Sequence, residues 1–258
     1  MCPHCGSCER IGKIGGKSTR FGICKCYACR KPFTVKAGAV FEASHVALKL
    51  WLQAIHLLCA SKKGISSNQL HRTFGVTLKT AWFMSHCIRE AMTTVGMEPM
   101  GGEGAVVDID ETVIGPKKDM PKQRGYAHQH AVMTLIERGK RARCFHVSGT
   151  AAADLLPIIK AHVSSGTHPI TDKAGQYTHV GKHFAAHEFI PHGVGEYIRR
   201  IVHTDTVEGF HNVFKRGMNG IYQYRKDRQL HRYLAEFDFR YNNRVRLGVS
   251  AWLRQMPG

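Results

Sequence analysis

The sequence predicts a mixed α/β protein. An α/β domain over residues 103–248 is preceded by a small cysteine-stapled ribbon at 1–37 and a helical region at 44–95. Three observations carry this reading. Four of the nine cysteines fall in two Cys-x-x-Cys pairs near the N-terminus. Leu, Trp, Ile and Met recur at three- and four-residue spacing over residues 44–93, the period of helices with one apolar face. Past a glycine-rich stretch at 96–104, strand and helix patterns alternate.

The ribbon comes first. Cys2-Pro-His-Cys5 and Cys26-Tyr-Ala-Cys29 are separated by twenty residues. Two such knuckles supply four thiolates, which suit a tetrahedral zinc ion. Cys2, Cys5, Cys26 and Cys29 are therefore the expected ligands of a structural Zn²⁺, a closed site with no catalytic role. Cys8 and Cys24 lie nearby but outside that spacing. The odd cysteine count, with no secretory signal at the N-terminus, speaks against a disulfide framework.

In the helical region, Ser66-Ser67-Asn68-Gln69 has the form of a capping box. Gly75 breaks the short helix it starts, and residues 78–92 carry an apolar stripe of Ala81, Met84, Ile88 and Met92. A short helix, a glycine turn and a longer helix form a helix-turn-helix pattern. Lys79, Thr80, Phe83 and His86 are then expected to face the major groove of double-stranded DNA.

Charge supports a polyanionic partner. The net charge is +18, and neutralising phosphates releases condensed counterions. Twelve of the nineteen acids lie between Glu103 and Glu208, and basic segments flank them. That pattern suits flanks that hold nucleic acid around a middle that holds metal. No stretch approaches the eighteen apolar residues of a membrane span, so the chain is expected to stay in the cytoplasm.

In the last region, 105–112, 130–136 and 143–148 read as strands, 151–163 as a helix, and 168–171 and 187–191 as strands. Residues 206–217 and 228–244 read as helices. Three strands in hairpin-like succession, then a helix, a strand, a helix, a strand and a helix, make the order of a ribonuclease-H-like domain.

Its acids fall at suggestive places. Asp108 and Asp110 share one face of a strand, which is costly in a core unless something cationic offsets it. Asp172 ends a strand, where open α/β sheets place ligands. Asp205 and Glu208 open a helix that continues to Lys215. Sixty-one residues separate Asp110 from Asp172, thirty-five separate Asp172 from Glu208, and six separate Glu208 from Lys215.

With that spacing the chain resembles the DDE transposases of bacterial insertion sequences, in their zinc-ribbon, ISXO-like group. The likeness extends to Lys-Cys-Tyr-Ala-Cys-Arg-Lys-Pro-Phe-Thr-Val (25–35), Ala-Trp-Phe-Met (81–84), Asp-Glu-Thr-x-Ile-Gly (110–115), His-Thr-x-Thr-Val-Glu-Gly-Phe (203–210) and Phe-Arg-Tyr-Asn-Asn-Arg (239–244). It implies that Asp110, Asp172 and Glu208 hold two Mg²⁺ or Mn²⁺ ions and that Lys215 contacts phosphate. Asp205 is the alternative third ligand. It further implies cleavage and strand transfer at the element's terminal repeats, target DNA as second partner, and a homo-oligomer on DNA beside the nucleoid.

Mutual repulsion of the acids predicts a loose site that tightens on metal. The alternative function is a catalytically inactive DNA-binding remnant that represses its own element. Related chains have a helix before the first cysteine pair and a longer tail, so a truncated copy is expected. Residues 1–93 are expected to be dispensable for folding of the catalytic domain.

Overall fold

The computed structural model describes residues 1–17, 19, 22–94, 96, 98–118, 120–122, 124–172, 177, 180–184, 187–190, 205–223 and 226–244. The chain divides into two compact units, Met1–Ala54 and Ile55–Gly258.

In the first unit, β1 (Ile11–Lys13), β2 (Ile23–Cys26) and β3 (Pro32–Thr34) form an antiparallel sheet in that order. Each knuckle turns through a left-handed residue directly after its second cysteine, Gly6 at φ 72° and Arg30 at φ 61°. The glycine adopts this conformation freely, whereas the arginine is held there by the turn. The Cys26 amide donates to the Lys31 carbonyl at 3.1 Å and closes it. Helix α1 (Leu48–Ala60) runs from this unit into the next.

The second unit begins with the helix pair. Helix α2 (Ser67–Phe74) has the complete capping box of Ser66 and Gln69, and Gly75 ends it at φ 65°. Helix α3 (Leu78–Ala91) starts on Thr77, whose side chain accepts from the Thr80 amide. The stripe of Ala81, Met84, Ile88 and Met92 is buried as expected.

A five-stranded sheet follows, built from β4 (Val106–Pro116), β5 (Gln129–Glu137), β6 (Ala142–Val147), β7 (His168–Asp172) and β8 (Glu188–Ile190). The spatial order is β6-β5-β4-β7-β8. The first three strands pair antiparallel, while β4–β7 and β7–β8 pair parallel. Helix α4 (Ala152–His162) covers one face, where Val107, Ile109, Met133 and Leu135 meet Leu155 and Ile159. Helices α5 (Asp205–Gly220) and α6 (Leu230–Asn242) cover the other, with Phe210, Phe214, Leu234 and Phe237 over Ile114, Val132 and Ile136. Strand β5 is thus buried almost throughout, as a strand covered on both faces must be, with His130, Thr134 and Glu137 as its buried polar positions. Of the helix expected between β7 and β8, most positions lie outside the described residues, which show there a 3-10 turn at Val180–His183. Among the described residues no helix is long and apolar enough to cross a membrane.

Helix α6 also covers the outer edge of β6. The Asn242 side chain accepts from the Ala142 amide at 2.6 Å and donates to the Ala142 carbonyl at 3.0 Å. Asp238 accepts from the Cys144 amide at 2.9 Å. An edge strand whose polar backbone is met by side chains is a poor template for another chain.

Enclosure of its carboxyl end lifts Asp238 from 3.8 to about 7. The folded state then keeps a proton that the unfolded chain releases. Its contribution is fully present below pH 3.8 and is lost as pH rises to about 7. Asp238→Asn, which retains an oxygen acceptor, should raise unfolding free energy at pH 8 by about 2 kcal/mol and change it little at pH 4. Urea unfolding at both pH values checks this, and an equal effect at the two would count against it.

One expectation needs correction. Arg89 of α3 and Glu236 of α6 are 1% and 0% exposed and meet at 2.6 Å. The Arg89 guanidinium also lies 4.9 Å from the Tyr222 ring centroid and 4.6 Å from that of Tyr233. Tyr222 accepts from the Ile65 amide at 3.1 Å and donates to Glu236 at 2.7 Å. Gly64 must be glycine here: at φ 99° a Cβ would stand 1.9 Å from the Tyr222 hydroxyl. The helix pair therefore shares a buried ionic core with the sheet domain. Removing residues 1–93 would strip Glu236 of a partner rather than free an independent domain.

Candidate metal and catalytic sites

Two sites were expected. In the ribbon, Cys2 and Cys29 sulfurs lie 3.7 Å apart and Cys5 and Cys26 sulfurs 3.6 Å apart. All four lie within 4.8 Å of one another. A tetrahedron with Zn–S bonds of about 2.3 Å has edges of roughly 3.8 Å, so these residues fit zinc closely. The backbone amide of Cys29, ahead of that of Ala28, draws the Cys26 thiol down to about 7. Cys8 and Cys24 stand outside this quartet.

The second site is built on β4 and β7. The parallel register ends at Asp108 and Ile170, and Asp110 and Asp172 each follow two residues beyond that last pair. Alternation puts both on the side covered by α5. There the Asp110 Oδ2 lies 3.3 Å from His211 Nδ1, and its Oδ1 accepts from the Glu111 amide at 2.8 Å. His211 is itself fixed by Thr134, whose hydroxyl lies 3.0 Å from Nε2. With Nδ1 protonated toward the carboxylate, Nε2 accepts from the threonine, which satisfies the whole chain in the neutral tautomer.

Asp108 differs from its neighbour. It is 1% exposed at the side chain and takes Arg138 in a bidentate pair at 2.7–3.0 Å. This is the cation that two acids on one strand face require, and it gives Asp108 a structural role. Asp110, at 28% side-chain exposure, remains reachable.

Glu208 lies on the exposed flank of α5, one turn before His211, and Lys215 lies two turns after Glu208 on the same exposed flank. The Asp205 side chain, His203 and Thr204 lie outside the described residues. Among the described residues the cysteine quartet alone brings three or more ligand atoms within 4.8 Å; Asp110, Asp172 and Glu208 form no such group. Their spacing is open.

Sequence reasoning missed Tyr177, which is 1% exposed and donates its hydroxyl to Glu111 Oε2. Burial, then Glu111, and further Asp110 and Asp172, hold its phenol well above the usual range. His211 was legible in principle, as a histidine one turn past Glu208. Nothing in the local sequence marks Tyr177 or Arg138.

On the helix pair, Lys79 and Phe83 are exposed and Thr80 is half-exposed, as expected of a contact face. His86 is not. It is buried against Trp82 at 4.3 Å and Tyr233 at 5.5 Å between ring centroids. Burial, with Arg89 second, lowers its pKa to about 4. It packs α3 onto α6 and cannot reach a groove. Trp82, at 40% exposure, is a surface position that the helical reading did not single out.

Comparison with known proteins adds the following. Residues 101–242 match the ISXO2-like transposase domain. An uncharacterized protein in transposable element ISH50 of Halobacterium salinarum is 27% identical over 255 residues, covering 92% of this chain and 84% of that protein. Among solved structures, a chain of the simian T-cell lymphotropic virus intasome in complex with the PP2A regulatory subunit B56 gamma aligns at TM-score 0.34 and 17% identity. That alignment covers 66% of this chain and 63% of the viral complex's chain.

Proposed function

Because the chain belongs to the ISXO2-like transposase family, we propose that it is a transposase that cuts DNA at the ends of its element and joins them to a target. The observation that carries this is that Asp110 and Asp172 each follow two residues beyond the last pair of the parallel β4–β7 register, and that His211 of α5, the helix that also bears Glu208 and Lys215, meets Asp110. The sheet order and strand directions support a ribonuclease-H-like reading of residues 103–248.

The donor set fits hard divalent ions. Carboxylate oxygens suit Mg²⁺ or Mn²⁺, which are hard cations that take oxygen ligands. Asp110, Asp172 and Glu208 would hold the ions, with Asp205 the competitor for the third position. Bound there, two ions would activate the attacking oxygen and stabilise the leaving one. The protein's own part is orientation. His211 and the Glu111 amide fix both oxygens of Asp110, and the Lys215 ammonium on the exposed flank of α5 supplies a cation for the scissile phosphate. The helix pair and the basic ribbon hold duplex DNA, and a homo-oligomer brings two ends together.

Incubating the full-length protein and Mg²⁺ with a duplex bearing the inverted repeats that flank its gene tests the proposal. Appearance of 3′-hydroxyl ends at the repeat boundary, followed by joining to a second duplex, is expected. Cutting without joining would reduce the protein to a nuclease, and an intact duplex bound at the repeats would make it a repressor.

Zinc in the ribbon is structural in this scheme. Purified protein should carry about one zinc per chain, and Cys26→Ser should lose it and expose residues 1–37 to proteolysis, because binding energy at such a site is folding energy. Wild-type protein free of zinc by metal analysis, yet resistant to protease, would overturn this.

A further inference from the structure

Helix α5 has a second working face. At about 100° per residue, Glu208, His211 and Lys215 fall on one side of the helix, and Thr206, Gly209, Phe210 and Val213 on the opposite side. The latter line a cavity of about 890 Å³ between α5, α6 and the turn that follows α1. Its walls include Cys59, Lys62, Arg240 and Arg244, and no carboxylate among the described residues.

The charge balance at this cavity is lopsided. Arg240 is 8% exposed at the side chain, and its Nη1 donates to Glu236 Oε1. Its Nε and Nη2 are enclosed and have no partner among the described residues. The other oxygen of Glu236 is taken by Arg89, whose Nη1 is likewise without a partner there. One carboxylate thus faces two guanidiniums. The Tyr222 hydroxyl that also meets it is neutral, since burial raises the phenol. Burial also pushes the Cys59 thiol up to about 11, so it adds no negative charge. Lys62 and Arg244 bring two further cations to the rim, where the Arg244 guanidinium sits 3.6 Å from the Tyr241 ring centroid.

A buried positive charge without an anion is expensive. Guanidiniums present paired donors that match phosphate oxygens, and stacking over aromatic rings, as Arg240 does over Phe237 at 4.5 Å, holds their planes in place. We propose that this cavity is a phosphate site that grips the backbone of a DNA strand, on the side of α5 opposite the carboxylates. It rests on the reading that this chain handles DNA, but not on its cutting DNA.

The test uses the full chain without divalent metal. Lys62 and Arg244 form no ion pair among the described residues, so K62E/R244E should fold, losing only the Arg244 stacking on Tyr241 and its hydrogen bond to the Tyr241 carbonyl and lowering the melting midpoint by no more than a few degrees. Its affinity for a 30-bp duplex (a length of about three turns) should fall about tenfold or more. The slope of log affinity against log salt should shrink by about two. A charge-matched pair on exposed residues elsewhere, K118E/K160E, should do clearly less. If both pairs weaken binding alike, or K62E/R244E binds like wild type, the proposal is wrong. Saturable binding of inorganic phosphate that K62E/R244E loses while DNA affinity stays unchanged would assign the site to the free ion and also overturn it. A protein that never cuts DNA, yet shows the K62E/R244E effect, loses the catalytic reading and keeps this one. Cutting by wild type with unaltered binding by K62E/R244E does the reverse.

Discussion

Asp110→Asn, Asp172→Asn and Glu208→Gln should each lower end cleavage by about 10³-fold or more and leave duplex affinity within about twofold. The first figure follows from the several kcal/mol of charge stabilisation that bound divalent ions supply, at roughly 1.4 kcal/mol per tenfold. The second follows from charge: deleting an acid does not weaken attraction to phosphate. Asp110 is the most informative of the three, since its two oxygens are oriented by His211 and the Glu111 amide and its partial exposure leaves it accessible. Asp205→Asn beside Glu208→Gln names the third ligand. Near-normal cleavage by Glu208→Gln with loss in Asp205→Asn would move the role to Asp205, and normal cleavage by both would end the two-metal reading.

Glu236→Ala should lower unfolding free energy by about 3–5 kcal/mol, measured by urea titration. It leaves two buried guanidiniums, Arg89 and Arg240, facing each other without a carboxylate. Arg89→Met should cost less, because Glu236 keeps Arg240 and the methionine still fills the space between the Tyr222 and Tyr233 rings. The order of the two is the informative result. A larger loss from Arg89→Met would mean that the cluster carries no excess of positive charge, against the account of the cavity beside it.

The parts legible in the sequence are those set by local spacing. Two cysteine pairs specify a quartet because a knuckle places its own two sulfurs, and Ser66 with Gln69 specifies a helix start because a cap is closed within four residues. Strand and helix periods placed the segments that were given bounds in the sheet domain to within a few residues, since burial on one or both faces imposes them, whereas the helix expected between β7 and β8 falls mostly outside the described residues. Contacts across the chain were not legible. Arg89 and Glu236 are 147 residues apart, and nothing near either residue announces the other. His86 reads as a contact residue by its helical position until Tyr233, equally distant in sequence, is seen against it. Asp108 and Asp110 look equivalent on their strand, and only Arg138 from the following hairpin separates a structural acid from a reachable one. Parts of the 239–244 motif also acquire a reason: Arg240 meets Glu236 and Asn242 closes the edge of β6.

The ionic core between α3 and α6 bears on how such a protein diversifies. A helix-turn-helix that sits on a neighbour through surface contacts can be exchanged as a cassette by recombination. Exchange of this one alone is constrained, because a crossover between residues 93 and 103 separates Arg89 from Glu236 and can leave the buried arginine without its acid, the costlier of the two losses. Point substitution at outward positions such as Lys79, Trp82 and Phe83 alters the surface of the pair without disturbing that core. Lineages should therefore vary at those positions while Arg89 and Glu236 are inherited together.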